Sequence, residues 1–161
     1  EALEDYAIEK NKSNFFNMLT GREEYWKLQL QDHIFSMHTM RESIAFIYTA
    51  VNNCIRSKKL SWIFDESNKT GRSEFKISQT QSGKIRTYAI DRTLIDENGV
   101  RWIIDFKTGA PREKSTGEFI DQQKELHAPQ LSRYEELFQQ LETRETKTAI
   151  LFTAISKLVP L

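Results

Sequence analysis

The sequence predicts an α/β (α+β) domain in which helices flank one mixed central sheet. No glycine or proline occurs between Arg22 and Thr70, and apolar residues there recur at helical spacing, which favours helix over this stretch. Beyond Asp65 the apolar period falls to two around two glycine-containing turns, which is typical of an antiparallel three-strand meander. A helical pattern and then a strand pattern follow, so the predicted order is helices, meander, helix and strand.

Residues 1–64 form the predicted helical part, with helices at about 1–18, 21–38 and 40–59. Two pairs of a hydroxyl and a carboxylate three residues apart, Thr20 with Glu23 and Thr39 with Glu42, are typical of capping boxes at helix starts. No capping residue precedes Glu1, so we expect the chain to be the carboxyl-terminal fragment of a longer protein.

Residues 65–161 form the predicted sheet core. The turns at Ser82-Gly83 and Glu97-Asn98-Gly99 separate the three meander strands. Pro129 is predicted in the first turn of the last helix, which ends near Glu142, because proline suits that position. The remaining predictions are a mobile loop over 109–119 and strands over 74–78, 84–96, 100–108, 148–153 and 158–161.

The composition is that of a single globular domain. The chain has 161 residues, 39% of them hydrophobic, so it is long enough to bury a core. Its 23 lysines and arginines balance 23 aspartates and glutamates, which argues against a polybasic nucleic-acid binder. The single cysteine, Cys54, excludes a disulfide framework, a CxxC zinc site and a cysteine-ligated iron–sulfur cluster carried within this chain.

Nothing in the sequence predicts a membrane segment or a secretion signal, and we expect a cytoplasmic protein. The zero net charge is an average over unlike regions. Between Ser57 and Arg86 seven basic residues face three acidic ones, a local charge of +4 that suits a surface following a nucleic-acid backbone.

The two turns predict the register of the three strands. A two-residue turn at Ser82-Gly83 places Glu74 opposite Asp91, and a turn at 97–99 places Asp91 opposite Asp105. Three carboxylates then share one face, with Lys107 two residues beyond Asp105. The other face is predicted to be the core side, formed by Phe75, Ile77, Tyr88, Ile90, Leu94, Trp102, Ile104 and Phe106.

Such a row of acids requires positive charge between its members, because carboxylates opposed at about 5 Å repel each other. Lys107, a proton or a divalent cation would supply it, and ligands that are all oxygen suit Mg²⁺, Mn²⁺ or Ca²⁺ rather than Zn²⁺. The alternative is a solvated polar face whose acids are neutralised by nearby bases: Lys76, Lys84, Arg101 and Lys107.

Three short stretches hold the acids, the lysine and a helix motif in one order: Ala89-Ile90-Asp91-Arg92, Trp102-Ile103-Ile104-Asp105-Phe106-Lys107-Thr108-Gly109 and Gln130-xxx-Tyr134. In this order they resemble the PD-(D/E)xK nucleases, and more narrowly the RecB/AddA-like nuclease domain of UvrD-type helicase–nucleases. The ending from Leu151 to Leu161 also looks like the terminal hairpin of that family. The resemblance covers most of the chain and implies a restriction-endonuclease-like fold.

The resemblance implies a metal-dependent hydrolysis of DNA. Asp91, Asp105 and the backbone carbonyl of Phe106 match the positions that bind Mg²⁺ or Mn²⁺. Lys107 matches the catalytic lysine, which orients the attacking water, and Glu74 matches the first-strand glutamate, which acts through a metal-bound water or a second ion.

Gln130 and Tyr134 match the helix motif that shapes the site and holds DNA. They lie four residues apart on one helix face, and ordinary packing of helix on sheet is the alternative for Tyr134. The family also carries a metal-binding histidine on its first helix, at a position that falls just upstream of residue 1. His33 and His38 receive no role, and His127 is expected near a helix start rather than as a ligand.

Three functions are therefore open. The first is a Mg²⁺-dependent deoxyribonuclease domain that acts in DNA recombination and repair, joined to a UvrD-like helicase domain and to a second AddB/RecC-like subunit. The second is a non-catalytic module with a degenerate metal site, which binds DNA or docks a helicase. The third is a stand-alone nuclease of phage or mobile-element origin.

Overall fold

The computed structural model describes residues 3, 21–31, 37–65, 68, 70–81, 83–111, 113 and 115–161. Within these residues a five-stranded mixed sheet is flanked by helices, which confirms the predicted fold class. None of the described helices is both long and apolar enough to cross a membrane.

The helical part contains α1 (Glu23–Gln31) and α2 (Met37–Arg56). The second helix therefore begins before the predicted residue 40, and Thr39 lies inside it rather than at its amino-terminal cap. Its apolar residues recur on one side, and this side is held against the sheet. The predicted helix over 1–18 falls outside the described residues except for Leu3, and so does Thr20.

The sheet follows the chain from one edge to the other. The strands are β1 (Arg72–Gln81), β2 (Lys84–Ile95), β3 (Arg101–Lys107), β4 (Thr146–Phe152) and β5 (Lys157–Pro160). Neighbours pair antiparallel except β3 with β4, which are parallel. The predicted meander and terminal hairpin are thus confirmed.

Both predicted turns and their registers are confirmed. Gln81 pairs with Lys84 across the first turn, and Gly83 has a φ of +74° that a glycine adopts without strain. In the second turn the Asp96 N–H donates to Val100 O at 2.9 Å, and Gly99 has a φ of +81°. Ser82 lies outside the described residues.

The last helix, α3 (Thr116–Gln139), begins thirteen residues before Pro129, so the prediction of a helix start at Pro129 and of a loop to residue 119 was wrong. Ser115 and Glu118 form a capping box that starts the helix. Pro129 lies inside the helix on its exposed side, where water can satisfy the carbonyl that loses its hydrogen bond. The packing of buried helix residues before and after Pro129 outweighs the loss of that hydrogen bond. These residues are Phe119, Ile120, Leu131, Tyr134, Leu137 and Phe138.

Two hydrophobic clusters cover the two faces of the sheet. One lies between the sheet and the α2 side and includes Cys54, Ile63, Leu94, Ile104 and Leu151. The other lies between the sheet and α3 and includes Ile77, Ile90, Ile103, Leu131 and Phe152. The predicted single core side is therefore wrong, because its residues divide between the two clusters.

The division shows that the β1–β2 pair bends. Ile90 and Leu94 are four residues apart in one strand, and a regular strand would present both on the same face. Ile90 nevertheless packs with α3, whereas Leu94 packs with the α2 side. The bend lies at Glu74, whose φ of +47° is in the left-handed region, and the regular backbone pairing skips Glu74 and Asp91 there.

Candidate active site

Asp91 lies where β2 and β3 separate. The β2–β3 pairing runs from Ile95 opposite Arg101 to Arg92 opposite Ile104, and it does not continue to Asp91 and Asp105. Instead, Asp91 Oδ2 accepts a hydrogen bond of 2.6 Å from the Phe106 N–H. The Asp91 carboxylate thus replaces the next backbone hydrogen bond between β2 and β3 and holds the two strands slightly apart.

Asp105 is a buried carboxylate, with 4% of the residue exposed. Its Oδ1 accepts a hydrogen bond of 3.1 Å from Gln130 Nε2. Its Oδ2 forms an ion pair with Lys107 Nζ at 2.7 Å, although the angle between the two groups is not that of a hydrogen bond. Oδ2 has no hydrogen-bond partner in the described part of the chain. The solvated polar face considered as an alternative therefore does not describe Asp105, although Lys107 does neutralise it.

Lys107 comes to Asp105 because the two residues are separated by one position in β3 and so lie on the same face. Its side chain is 27% exposed, whereas that of Asp105 is 5% exposed. The pair thus extends from the protein interior toward the surface, and the Lys107 side chain is the more exposed partner.

Gln130 and Tyr134 connect α3 to two strands. Gln130 Nε2 donates to Asp105 Oδ1 and, at 3.0 Å, to the Tyr134 hydroxyl, which in turn donates to Ala89 O at 3.1 Å. Tyr134 is buried and its ring packs edge-on against Tyr88 at 6.1 Å. These are the contacts of helix packing on sheet, and a direct role of either residue in holding DNA stays a prediction.

Glu74, Asp91 and Asp105 do not form a metal-binding group of three. Among the described residues no three side chains of His, Cys, Asp or Glu lie close enough together to hold a metal ion. The regular backbone pairing includes neither Glu74 with Asp91 nor Asp91 with Asp105, so the row of three acids stays a prediction. The φ of +47° at Glu74 marks the interruption of the pairing between β1 and β2.

Asp91 and Asp105 are carboxylates of the type that Mg²⁺ prefers. Mg²⁺ binds through one or two carboxylates and completes its shell with water and substrate phosphates. Asp91 lies at the point where β2 and β3 separate, and Asp105 Oδ2 is a buried oxygen whose neighbour is Lys107 Nζ at 2.7 Å. Whether the Phe106 carbonyl joins them, as the resemblance implies, stays a prediction.

His127, for which the sequence predicts no ligand role, is coupled electrostatically to the candidate site. It lies three residues before Gln130 in α3, on the same helix face. Its pKa is lowered, first by burial and then by the positive charge of Lys107, while Asp105 and the Gln130 side chain act in the opposite direction. The spacing of 127, 130 and 134 was a usable signal, but the incorrect helix start at Pro129 concealed it.

Arg92 anchors the other face of the same strand. Only 3% of it is exposed, and its guanidinium donates to Ile63 O at 3.0 Å and to Ser73 Oγ at 3.1 Å. Burial, reinforced by the charge of Arg72, lowers its pKa to about 10. A Cβ on Gly71 would come within 2.6 Å of Arg92 Nη2, so a glycine leaves room for this buried cation beside the bend.

Comparison with known proteins assigns no family to this arrangement. No protein-family model matches the chain, and the search of curated proteins gives no match. The resemblance to the PD-(D/E)xK nucleases therefore rests on the motifs themselves and on their order along the chain.

Proposed function

We propose that this chain is a metal-dependent DNA nuclease module that hydrolyses phosphodiester bonds. One observation carries the proposal: Asp91 binds the Phe106 N–H where two strands separate, and the flanking residues Asp105 and Lys107 form an ion pair whose carboxylate is buried. Paired acids with an adjacent cation suit phosphoryl chemistry, because the phosphate is anionic and reacts where positive charge is concentrated.

Each residue of the site has a part in this chemistry. Asp91 and Asp105 would hold a Mg²⁺ or Mn²⁺ ion, which when bound polarises the phosphate and favours deprotonation of water. Lys107 offsets the phosphate charge and orients the attacking water beside the acids. Gln130 fixes Asp105 through Oδ1, which leaves the orientation of Oδ2 defined.

The electrostatics of His127 suit a group that exchanges a proton near the reacting phosphate. Burial and Lys107 lower its pKa, so the imidazole is neutral at pH 7 and can accept a hydrogen bond from water. This role supplements those of the acids and the lysine, because Asp91, Asp105 and Lys107 can act on a phosphate without a proton from His127.

By the resemblance, the module belongs to a RecB/AddA-like helicase–nuclease in DNA recombination and repair. A UvrD-like helicase domain in the same polypeptide and an AddB/RecC-like subunit are the corresponding partners, and the cytoplasm is the corresponding location. These assignments depend on the nuclease proposal and have no separate support in the geometry.

The test is cleavage of single- and double-stranded DNA by the full-length protein with and without Mg²⁺. We expect Lys107→Ala and Asp105→Asn each to reduce the rate at least about 100-fold. The matched control is Lys147→Ala, because Lys147 pairs with the exposed Glu145 outside the site. Cleavage that persists in Lys107→Ala, or that is unaffected by EDTA, contradicts the proposed roles.

The second candidate is a non-catalytic module that binds DNA or docks a helicase. It is favoured by the lack of a three-ligand group among the described residues and by the neutralisation of Asp105 by Lys107. Titration calorimetry with Mn²⁺ and Mg²⁺ separates the two candidates. Binding of neither ion by the full-length protein, together with retained DNA binding, favours the second.

A further inference from the structure

The β1–β2 pair continues past the site as a two-stranded ribbon, which consists of residues 75–81 of β1 and 84–90 of β2. From Asp91 the strand β2 extends to Lys84 in the direction away from its pairing with β3, over about 24 Å of extended chain. Residues 105–107 of β3 run in the same direction from the point of separation. The ribbon therefore leaves the sheet at the site end.

The ribbon is positively charged throughout. Residues 75–90 contain three bases, Lys76, Lys84 and Arg86, and no aspartate or glutamate. All three bases are exposed. Although the net charge of the whole chain is zero, this segment has no acidic residue to neutralise its three bases. Its charge therefore suits a polyanionic partner.

Both faces of the ribbon are exposed to solvent at its end, and one of the exposed side chains there is apolar. Residues 84–87 are all exposed, although successive residues of a strand point to opposite faces. Ile85, between Lys84 and Arg86, is 76% exposed, more than any other large hydrophobic side chain in the described part of the chain. Ile85 points to the face opposite Lys84 and Arg86. It shares its own face with Lys76, because Lys76 is paired with Ala89. An uncovered apolar group on the same face as a cation suits contact with a base near a phosphate.

The ribbon is also oriented by the helix that holds the site. Tyr88 packs against Tyr134, and Phe75 packs against Phe138 at 5.9 Å. Gln79 Nε2 donates to Gln140 Oε1 at 3.4 Å, just beyond the end of α3. Because Gln130 of the same helix binds Asp105, the base of the ribbon and the site share one rigid support.

We propose that this ribbon is the surface that grips the nucleic-acid substrate. Lys84 and Arg86 contact the sugar–phosphate backbone from one face of the ribbon. On the other face Lys76 contacts a phosphate and Ile85 contacts a base. A two-stranded β-ribbon fits the major groove of a duplex, and its cations equally follow a single strand. The inference rests on the proposed nuclease function, and it deepens it by assigning the grip to residues outside the site.

The experiment compares DNA binding by wild-type full-length protein and by the triple variant Lys76→Gln/Lys84→Gln/Arg86→Gln. Binding of a labelled single strand and a labelled duplex is measured by fluorescence anisotropy in EDTA at several salt concentrations. We expect affinity to fall at least about tenfold at low salt, and the slope of log K against log salt to decrease by about 2 to 3. Ile85→Ser alone should weaken binding with an unchanged slope.

The matched control removes the same number of charges outside the basic stretch 57–86, in Arg41→Gln/Lys147→Gln/Lys157→Gln. Arg41 is exposed on α2, Lys157 is exposed in β5, and Lys147 is the partner of Glu145. We expect this variant to bind DNA nearly as the wild type does. Thermal unfolding verifies that both variants are folded, which the exposure of the changed residues favours.

The outcomes separate this inference from the proposed function. If Lys107→Ala binds DNA but does not cleave it, and the ribbon variant binds weakly, both stand. If wild-type protein cleaves DNA and the ribbon variant binds it equally well, or the control loses as much, the ribbon inference alone is overturned. If the ribbon variant keeps DNA binding but loses a protein partner, the surface is a protein interface and the inference is also overturned. Wild-type protein that neither binds nor cleaves DNA contradicts both.

Discussion

The carboxylate of Asp91 accepts a hydrogen bond of 2.6 Å from the backbone N–H of Phe106, at the point where β2 and β3 separate. This contact makes Asp91 a strand-pairing group as well as a proposed metal ligand. The two roles can be tested apart, because an asparagine oxygen can accept the same hydrogen bond without carrying a charge.

Asp91→Ala should therefore destabilise the protein, since it leaves the Phe106 N–H without its acceptor. We expect a loss of about 1–3 kcal/mol in the free energy of unfolding, and about half or less of that loss for Asp91→Asn. Urea denaturation measures both. The control Asp121→Ala removes an exposed carboxylate of α3 and should change stability by less than about 0.5 kcal/mol. Equal loss in the asparagine and alanine variants would show that the charge, not the acceptor, matters for stability.

Lys107 and Asp105 should be energetically coupled, because the lysine is the cation that neutralises a buried carboxylate. Lys107→Met should cost about 1–3 kcal/mol in the wild-type background, reduced by the partial exposure of the lysine, and much less in an Asp105→Asn background. A double-mutant cycle in urea measures the coupling. The surface pair Lys147 and Glu145, at 3.1 Å, provides the comparison and should show a coupling below about 0.5 kcal/mol.

His127 should make stability fall as the pH is lowered. Its folded-state pKa is depressed, mainly by burial, so the unfolded chain binds a proton more readily than the native protein does. The loss begins as the pH falls through the unfolded value of about 6.5 and is complete below the folded value. His127→Asn should flatten this part of the profile, measured by urea denaturation between pH 8 and pH 5. The control is His38→Asn, on the exposed side of α2, and a profile that is flattened equally by both changes contradicts the assignment.

At position 74 a glycine should give a more stable protein than an alanine. Its φ of +47° costs a residue with a Cβ roughly 1–2 kcal/mol, a cost that glycine avoids. Glu74→Gly should therefore exceed Glu74→Ala in unfolding free energy by about 1 kcal/mol. Thermal unfolding measures the difference. At Lys76, in the same strand with ordinary backbone angles, the order of the glycine and alanine variants should be reversed.

The predictions that the structure confirms depend on local chemistry. Gly83 and Gly99 lie at positive φ in tight turns, and a tight turn determines which residues of the flanking strands are opposite each other. The proximity of Asp105 and Lys107 followed from the two-residue period of a strand, whereas the regular pairing of β2 with β3 ends at Arg92 and does not include Asp91.

The predictions that failed concern helix boundaries. Proline suits a helix start, which predicts one at Pro129, but Ser115 and Glu118 form the actual cap, and Gly117 between them obscures it in the sequence. The Thr39 and Glu42 pair likewise predicts a cap, but Thr39 lies inside α2. A capping residue is recognisable in a sequence, but which of several candidates starts the helix depends on the packing of the apolar residues that follow.

The sequence by itself determined the strands, their register and the order of acids and lysine, because turns and alternation act between residues close along the chain. Only the tertiary structure decided that both faces of the sheet are covered and that Asp105 is buried beneath Gln130. It also placed His127 within the electrostatic influence of Lys107 and Asp105 and directed the charged ribbon past Asp91, through a bend at Glu74. These features arise from contacts between distant segments, whose favourable packing outweighs the strain at one residue.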